Sequence, residues 1–137
     1  MKGKLIWPIF WAIVVVFVII IGTMFAGVYL ADDLPIGYIV IPIWVIFAGL
    51  GATLIVLTLK QKVGGVLKYF LLLTGSSAAG FAVFVLLHNI VSALFNIEEA
   101  VFFILATIIC PIGFLVGAIG TITCAIRNKP TTPDGTS

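Results

Sequence analysis

The chain has 137 residues, of which 63% are hydrophobic and 9% charged, and its mean hydropathy is +1.36. Soluble domains are about 45–50% apolar and about 25% charged, so this composition cannot cover a water-exposed surface and a soluble fold is excluded. The net charge of +2 comes from a few scattered cations, so no nucleic-acid partner is expected. The partner that the composition demands is the lipid bilayer.

The charges fall into packets that alternate in sign: Lys2 and Lys4; Asp32 and Asp33; Lys60, Lys62 and Lys68; Glu98 and Glu99; Arg127 and Lys129. Only Asp134, in the polar tail, breaks the alternation. A charged side chain at a helix centre costs about 2.5–3.5 kcal/mol on insertion, against a gain of about 0.3–0.6 for each Leu or Ile. Each packet must then lie at a water boundary, and four passes put every packet there. The expected fold class is an all-α membrane protein, a four-transmembrane-helix bundle. By the positive-inside rule both termini and the Lys60–Lys68 loop face the cytoplasm, and the expected location is the cell membrane.

In chain order, the first span is predicted over 5–30. It follows Lys2 and Lys4 as a signal peptide would, but its apolar run exceeds the 7–15 residues of a signal core and no small-x-small site follows; it is expected to stay. Asp32, Asp33, Leu34 and Pro35 form a turn. The second span is predicted over 36–59, the third over 66–95 and the fourth over 100–126, so that residues 1–127 form one membrane domain. Trp7, Trp11, Tyr29, Tyr38 and Tyr69 fall near span ends, where amphipathic rings sit at the headgroup level. The tail, 128–137, carries Pro130, Pro133 and Gly135 and is expected to be a disordered cytoplasmic segment.

The two halves share a pattern. Pro42-Ile43 and Pro111-Ile112 each follow an acidic pair; nine residues after each proline comes a glycine, Gly51 or Gly120, and eighteen after comes a lysine, Lys60 or Lys129. A parallel repeat about an axis normal to the membrane would produce this, and so would chance. Both prolines lie inside spans, where each removes a hydrogen bond to the carbonyl four residues back, Tyr38 or Thr107, and is expected to kink its helix.

Small residues mark the expected helix-packing faces. On the third span these are Gly75-x-x-x-Ala79 and Ser76-x-x-x-Gly80; on the fourth, Gly113-x-x-x-Gly117 with Gly120 one turn further. Small side chains let backbones approach closely, which drives helix association in lipid. The packing is expected within the chain or against a second copy or another membrane protein.

His88 and Asn89 are the strongly polar pair inside a span, toward its outer third, and form the candidate polar site; a hydrogen bond to a neighbouring helix is the simpler account of them. The acidic pairs are expected to set topology and not to hold a cation. Cys110 and Cys124 are fourteen residues apart on one helix, about 21 Å, too far for a disulfide. No catalytic constellation, metal-ligand cluster or phosphate-binding loop is visible in the sequence, and neither an enzyme nor a cofactor is expected.

The stretches LLLTGSSAAGFAVFVLLHN and EEAVFFILATIICPIGFLVGAIG resemble small four-span membrane proteins of prokaryotes whose activity is uncharacterised. The resemblance covers the second half and rests chiefly on Cys110-Pro111-Ile112 with its following glycines, set against Leu87-His88-Asn89. It carries no functional residue. The expected role is an accessory or assembly subunit of a membrane complex, associating through the third and fourth spans; the alternative is a homo-oligomeric channel or transporter with a path near Ser76, Ser77, His88 and Asn89.

Overall fold

A computed structural model describes residues 4–30, 36–98 and 100–128. Among these residues there are four helices and no strand: α1 Ile6–Leu30, α2 Ile36–Lys60, α3 Gly65–Phe95 and α4 Val101–Arg127. All four are long and apolar enough to cross a membrane. The boundaries differ from the predicted spans by one residue at most. The first acidic pair, Glu99 and the tail from residue 129 on lie outside the described residues.

The helices run alternately up and down, and two turns show how the chain reverses. Lys62 and Gly65 take left-handed backbone conformations between α2 and α3, at φ +50° and +71°. Asn96 does the same at the end of α3, with φ +50° and ψ +38°. Asparagine and glycine are the residues that adopt this conformation at least cost. The reversals put Lys4, Lys60, Lys62, Lys68 and Arg127 at one end of the bundle, hereafter the basic end, and Glu98 at the other, the acidic end. Tyr29 and Tyr38 are exposed near the acidic end and Tyr69 near the basic end.

α3 lies at the centre, packed against α2 on one side and α4 on the other, while α1 packs on α2 and reaches α4 through the stacked rings of Phe17 and Phe114, 4.2 Å apart. At 31 residues α3 is about 46 Å long, well beyond the ~30 Å hydrocarbon core.

The core is not spread evenly along this length. Ile6, Phe10 and Ile13 of α1, Leu54 and Thr58 of α2, Leu71 and Thr74 of α3, and Phe114, Ala118 and Thr121 of α4 are buried in the basic half. Toward the acidic end the last buried residues are Ile20, Phe47, Phe81 and Ala106, one on each helix; beyond them none of the described residues is buried. The bundle is tight at its basic end and splayed at its acidic end.

The threonine hydroxyls are satisfied within their own helices, as a bilayer requires. Thr58, Thr74 and Thr121 are fully buried, and each hydroxyl donates to the carbonyl four residues back at 2.7–2.8 Å. Thr23, Thr53, Thr107 and Thr123 do the same on their own helices. Pro42 lies within α2 without interrupting it. Pro111 is different: it follows a π-turn, Leu105–Ile109, that interrupts α4. A π-turn carries an extra residue in its loop and opens the helix, which relieves the clash of the Pro111 ring with the Thr107 carbonyl. No such turn precedes Pro42, so the two halves differ at the feature they share most clearly in sequence.

Candidate functional site

The expected packing glycines lie at two seams on α3. On the α4 side, a Cβ on Gly113 would sit 2.6 Å from Ser77 Oγ, and one on Gly117 would sit 2.7 Å from the backbone nitrogen of Thr74. A Cβ on Gly120 would enter the ring of Phe70. On the α2 side Gly75 faces Gly51, and a Cβ on Gly51 would meet Ala78 and the Ala79 backbone as well. The glycine-rich face of α4 is therefore occupied by α3 of the same chain.

Ser76 belongs to neither seam, and Gly80 faces α4 less closely than the others. Ser76 is exposed, and a Cβ on Gly80 would meet only ordinary contacts with Cys110 and Phe84 at 3.6 Å. Sequence reasoning noted Gly51 only as part of the repeat, although it too faces α3 at a distance that admits no side chain. It also passed over Gly22-x-x-x-Ala26 on α1 and Gly49-x-x-x-Thr53 on α2. These four residues are small and exposed, and a Cβ on either glycine would meet nothing within 4 Å. The spacing is the one used to find the α3 and α4 faces and would have found these too.

The acidic half holds three adjoining pockets that narrow inward, the outermost between α3 and α4 and the two deeper ones among all four helices; together they are called the slot. Its mouth, at the acidic end, is an open pocket of about 560 Å³ bordered by His88, Ser92, Glu98, Ala100 and Phe103. His88 and Phe103, with ring centroids 5.5 Å apart, also border the next chamber, of about 240 Å³, together with Met24, Trp44, Phe81 and Thr107. Met24, Phe81 and Thr107 lead in turn to the deepest chamber, of about 100 Å³, whose far wall is Phe17, Phe47, Cys110 and Phe114. There the Phe17–Phe114 stack, the Phe47–Phe114 pair at 5.6 Å and the Phe47–Phe81 pair at 6.1 Å close the slot. The π-turn forms part of its wall, through Ala106 and Thr107.

The two members of the candidate polar site both border the middle chamber but differ in burial. His88 is half-buried and borders both the mouth and the middle chamber. Asn89 is exposed, and its Nδ2 donates to the Val85 carbonyl of its own helix at 2.8 Å, not to a neighbouring helix. One turn beyond His88, the Ser92 hydroxyl is buried and has no hydrogen-bond partner among the described residues. Ser92 escaped sequence reasoning because a serine near a helix end carries no signal by itself. Ser77 is buried between α3 and α4 and borders the deepest chamber.

Cys110 and Cys124 are free thiols, the first buried and the second half-buried. Among the described residues, no three His, Cys, Asp or Glu side chains come together as a metal site would require. The geometry offers a mostly apolar slot with a polar rim, beside a basic half that is packed within and has a separate pocket of about 270 Å³ at its end, bordered by Ile6, Trp7, Gln61, Lys62, Leu67 and Leu71. Comparison with protein-family models, with curated proteins and with solved structures finds no match to this chain.

Proposed function

We propose that this protein is a small accessory subunit of a complex in the cell membrane, acting by association with a different membrane protein. The observation that carries the reading is the pair of outward patches, Gly22/Ala26 on α1 and Gly49/Thr53 on α2, which no helix of this chain covers. Small residues at this spacing are the surfaces through which helices associate in lipid. The association surface of this reading is α1 and α2, not the α3 and α4 faces, because the latter are engaged with each other and with α2. The basic packets favour an orientation with both termini and the Lys60–Lys68 loop in the cytoplasm. The resemblance of the second half to small four-span prokaryotic proteins fits this reading and adds no residue to it.

The competing reading is a homo-oligomeric channel. Within one chain the slot ends at the Phe17–Phe114 stack, and the buried Phe10, Ile13, Leu54 and Thr74 separate it from the pocket at the basic end, so a path in that reading runs between copies. One experiment separates the two. The tagged protein, extracted in mild detergent, is analysed by native mass spectrometry beside Gly22→Leu and Gly49→Leu variants. An accessory subunit comes out bound to a different protein, and the two substitutions weaken that complex while leaving the helical content intact. A self-assembled ring that gives solute flux in liposomes, or a complex indifferent to both substitutions, defeats the proposal.

A further inference from the structure

We infer that the slot is a binding site for a membrane amphiphile with a cationic amine head, one chain of which enters from the acidic end and stops at the Phe17–Phe114 stack.

Three independent observations converge on it. The first is the gradient along the slot. Its mouth has His88, Ser92 and Glu98; its middle has His88, Asn89 and Thr107 among Trp44, Phe81, Val85 and Phe103; its floor is Phe47 and Phe114, with Ser77 and Cys110 beside them. A polar rim above an apolar blind end is the shape of a head attached to a chain. In the hydrocarbon region an apolar void forfeits the dispersion contacts of its lining, and the neighbouring material able to restore them is a lipid chain. The splay beyond Ile20, Phe47, Phe81 and Ala106 leaves room for that chain, where the glycine seams of the basic half leave none.

The second observation is Ser92 Oγ, buried at the mouth without a hydrogen-bond partner among the described residues. A buried hydroxyl left unpaired costs about 1–3 kcal/mol, and because this oxygen has no exposed surface, a head group at the rim removes that cost only once the side chain turns toward it. The third is charge. Glu98 is exposed at the mouth, and no Lys or Arg is among the residues bordering the three chambers. A cationic amine gains from this field and a purely anionic head is repelled. The π-turn adds a structural correlate, since such turns recur at functional sites and this one forms the slot wall. The site shares no residue with the Gly22 and Gly49 patches, so it stands or falls separately from the accessory role.

Trp44 borders the slot, and the other two tryptophans, Trp7 and Trp11, lie near the basic end of α1. A Trp7→Phe/Trp11→Phe protein therefore reports from Trp44 alone. It is placed in phosphatidylcholine vesicles doped with phosphatidylethanolamine or with phosphatidylglycerol, both carrying the same brominated chains, which quench tryptophan on contact. The amine lipid should quench Trp44 along a saturating curve, half-complete at a mole fraction about tenfold lower than the anionic lipid, as one charge-assisted hydrogen bond allows. Thr107→Phe, or Met24→Phe from the opposite wall, should fill the slot and leave only a linear rise with mole fraction. Glu98→Gln should bring the two lipids together. A linear, equal response to both lipids overturns the site; a saturating response that survives both filling variants puts it elsewhere. Saturation that is equal for the two lipids overturns the amine assignment.

Discussion

Gly51 of α2 and Gly75 of α3 face each other at a distance that neither could keep with a side chain. A Cβ on Gly51 would lie 2.8 Å from the Gly75 carbonyl oxygen, and a Cβ on Gly75 would lie 2.9 Å from the Gly51 carbonyl oxygen. The atoms in the way are backbone, so the helices themselves must part to admit a methyl group. Gly51→Ala and Gly75→Ala should each destabilise the bundle by about 1–3 kcal/mol, the usual cost of overpacking. Gly49→Ala, two residues away on the open face, should stay within about 1 kcal/mol of the parent, since alanine is the better helix former. Reversible unfolding in mixed detergent micelles measures the difference, and equal effects at positions 49 and 51 would contradict the seam.

On the other side of α3 the obstruction at Gly113 is a single atom. Ser77 Oγ lies 2.6 Å from the site of a Cβ, whereas the next neighbours are at 3.8 Å. Gly113→Ala should therefore be rescued by Ser77→Ala, with a coupling of about 0.5–3 kcal/mol in a double-mutant cycle. At Gly117 the neighbours include the Thr74 nitrogen and the Phe70 carbonyl, and no side-chain truncation should rescue Gly117→Ala. Additive effects of the 113 and 77 substitutions would remove this account.

Pro111 and the π-turn before it form a unit. Proline offers no N–H, and its ring crowds the carbonyl four residues back; the Leu105–Ile109 turn accommodates both. Pro111→Ala should allow α4 to close into a regular helix, with slower amide exchange over residues 105–111. It should also narrow the slot at Thr107 and reduce the saturating quenching of Trp44. Unchanged exchange would mean that the turn has another cause.

The orientation can be read chemically. In a Cys110→Ala/Cys124→Ala background, a cysteine at Gln61 should be shielded from a membrane-impermeant maleimide added outside intact cells, and one at Glu98 should react. The opposite pattern would reverse the positive-inside assignment and put the mouth of the slot on the cytoplasmic side.

Much of this architecture was legible before any coordinates. Charge cannot enter hydrocarbon cheaply, so the packets at Lys60–Lys68 and Glu98–Glu99 mark the ends of helices, and the ends found at Lys60, Gly65, Phe95 and Val101 lie beside them. Span number and alternation follow from where charge occurs along the chain. The close-packing role of Gly113, Gly117 and Gly120 was legible too, because only small residues allow such an approach.

Which way each helix faces was not. In a soluble protein one side of a helix is polar, and that side points to water. Here every side is apolar, and lipid is as apolar as a core, so hydropathy cannot tell an inward Gly51 from an outward Gly49. Only the packing of α2 and α4 on α3 decided that the glycine face of α4 is used within the chain, that Ser76 faces out, and that Gly22 and Gly49 remain open. Tertiary structure alone also brought Met24 of α1, Trp44 of α2 and Thr107 of α4 to the chamber beside His88, because that chamber is set by the separation of four helices, a distance between elements that no spacing along the chain records.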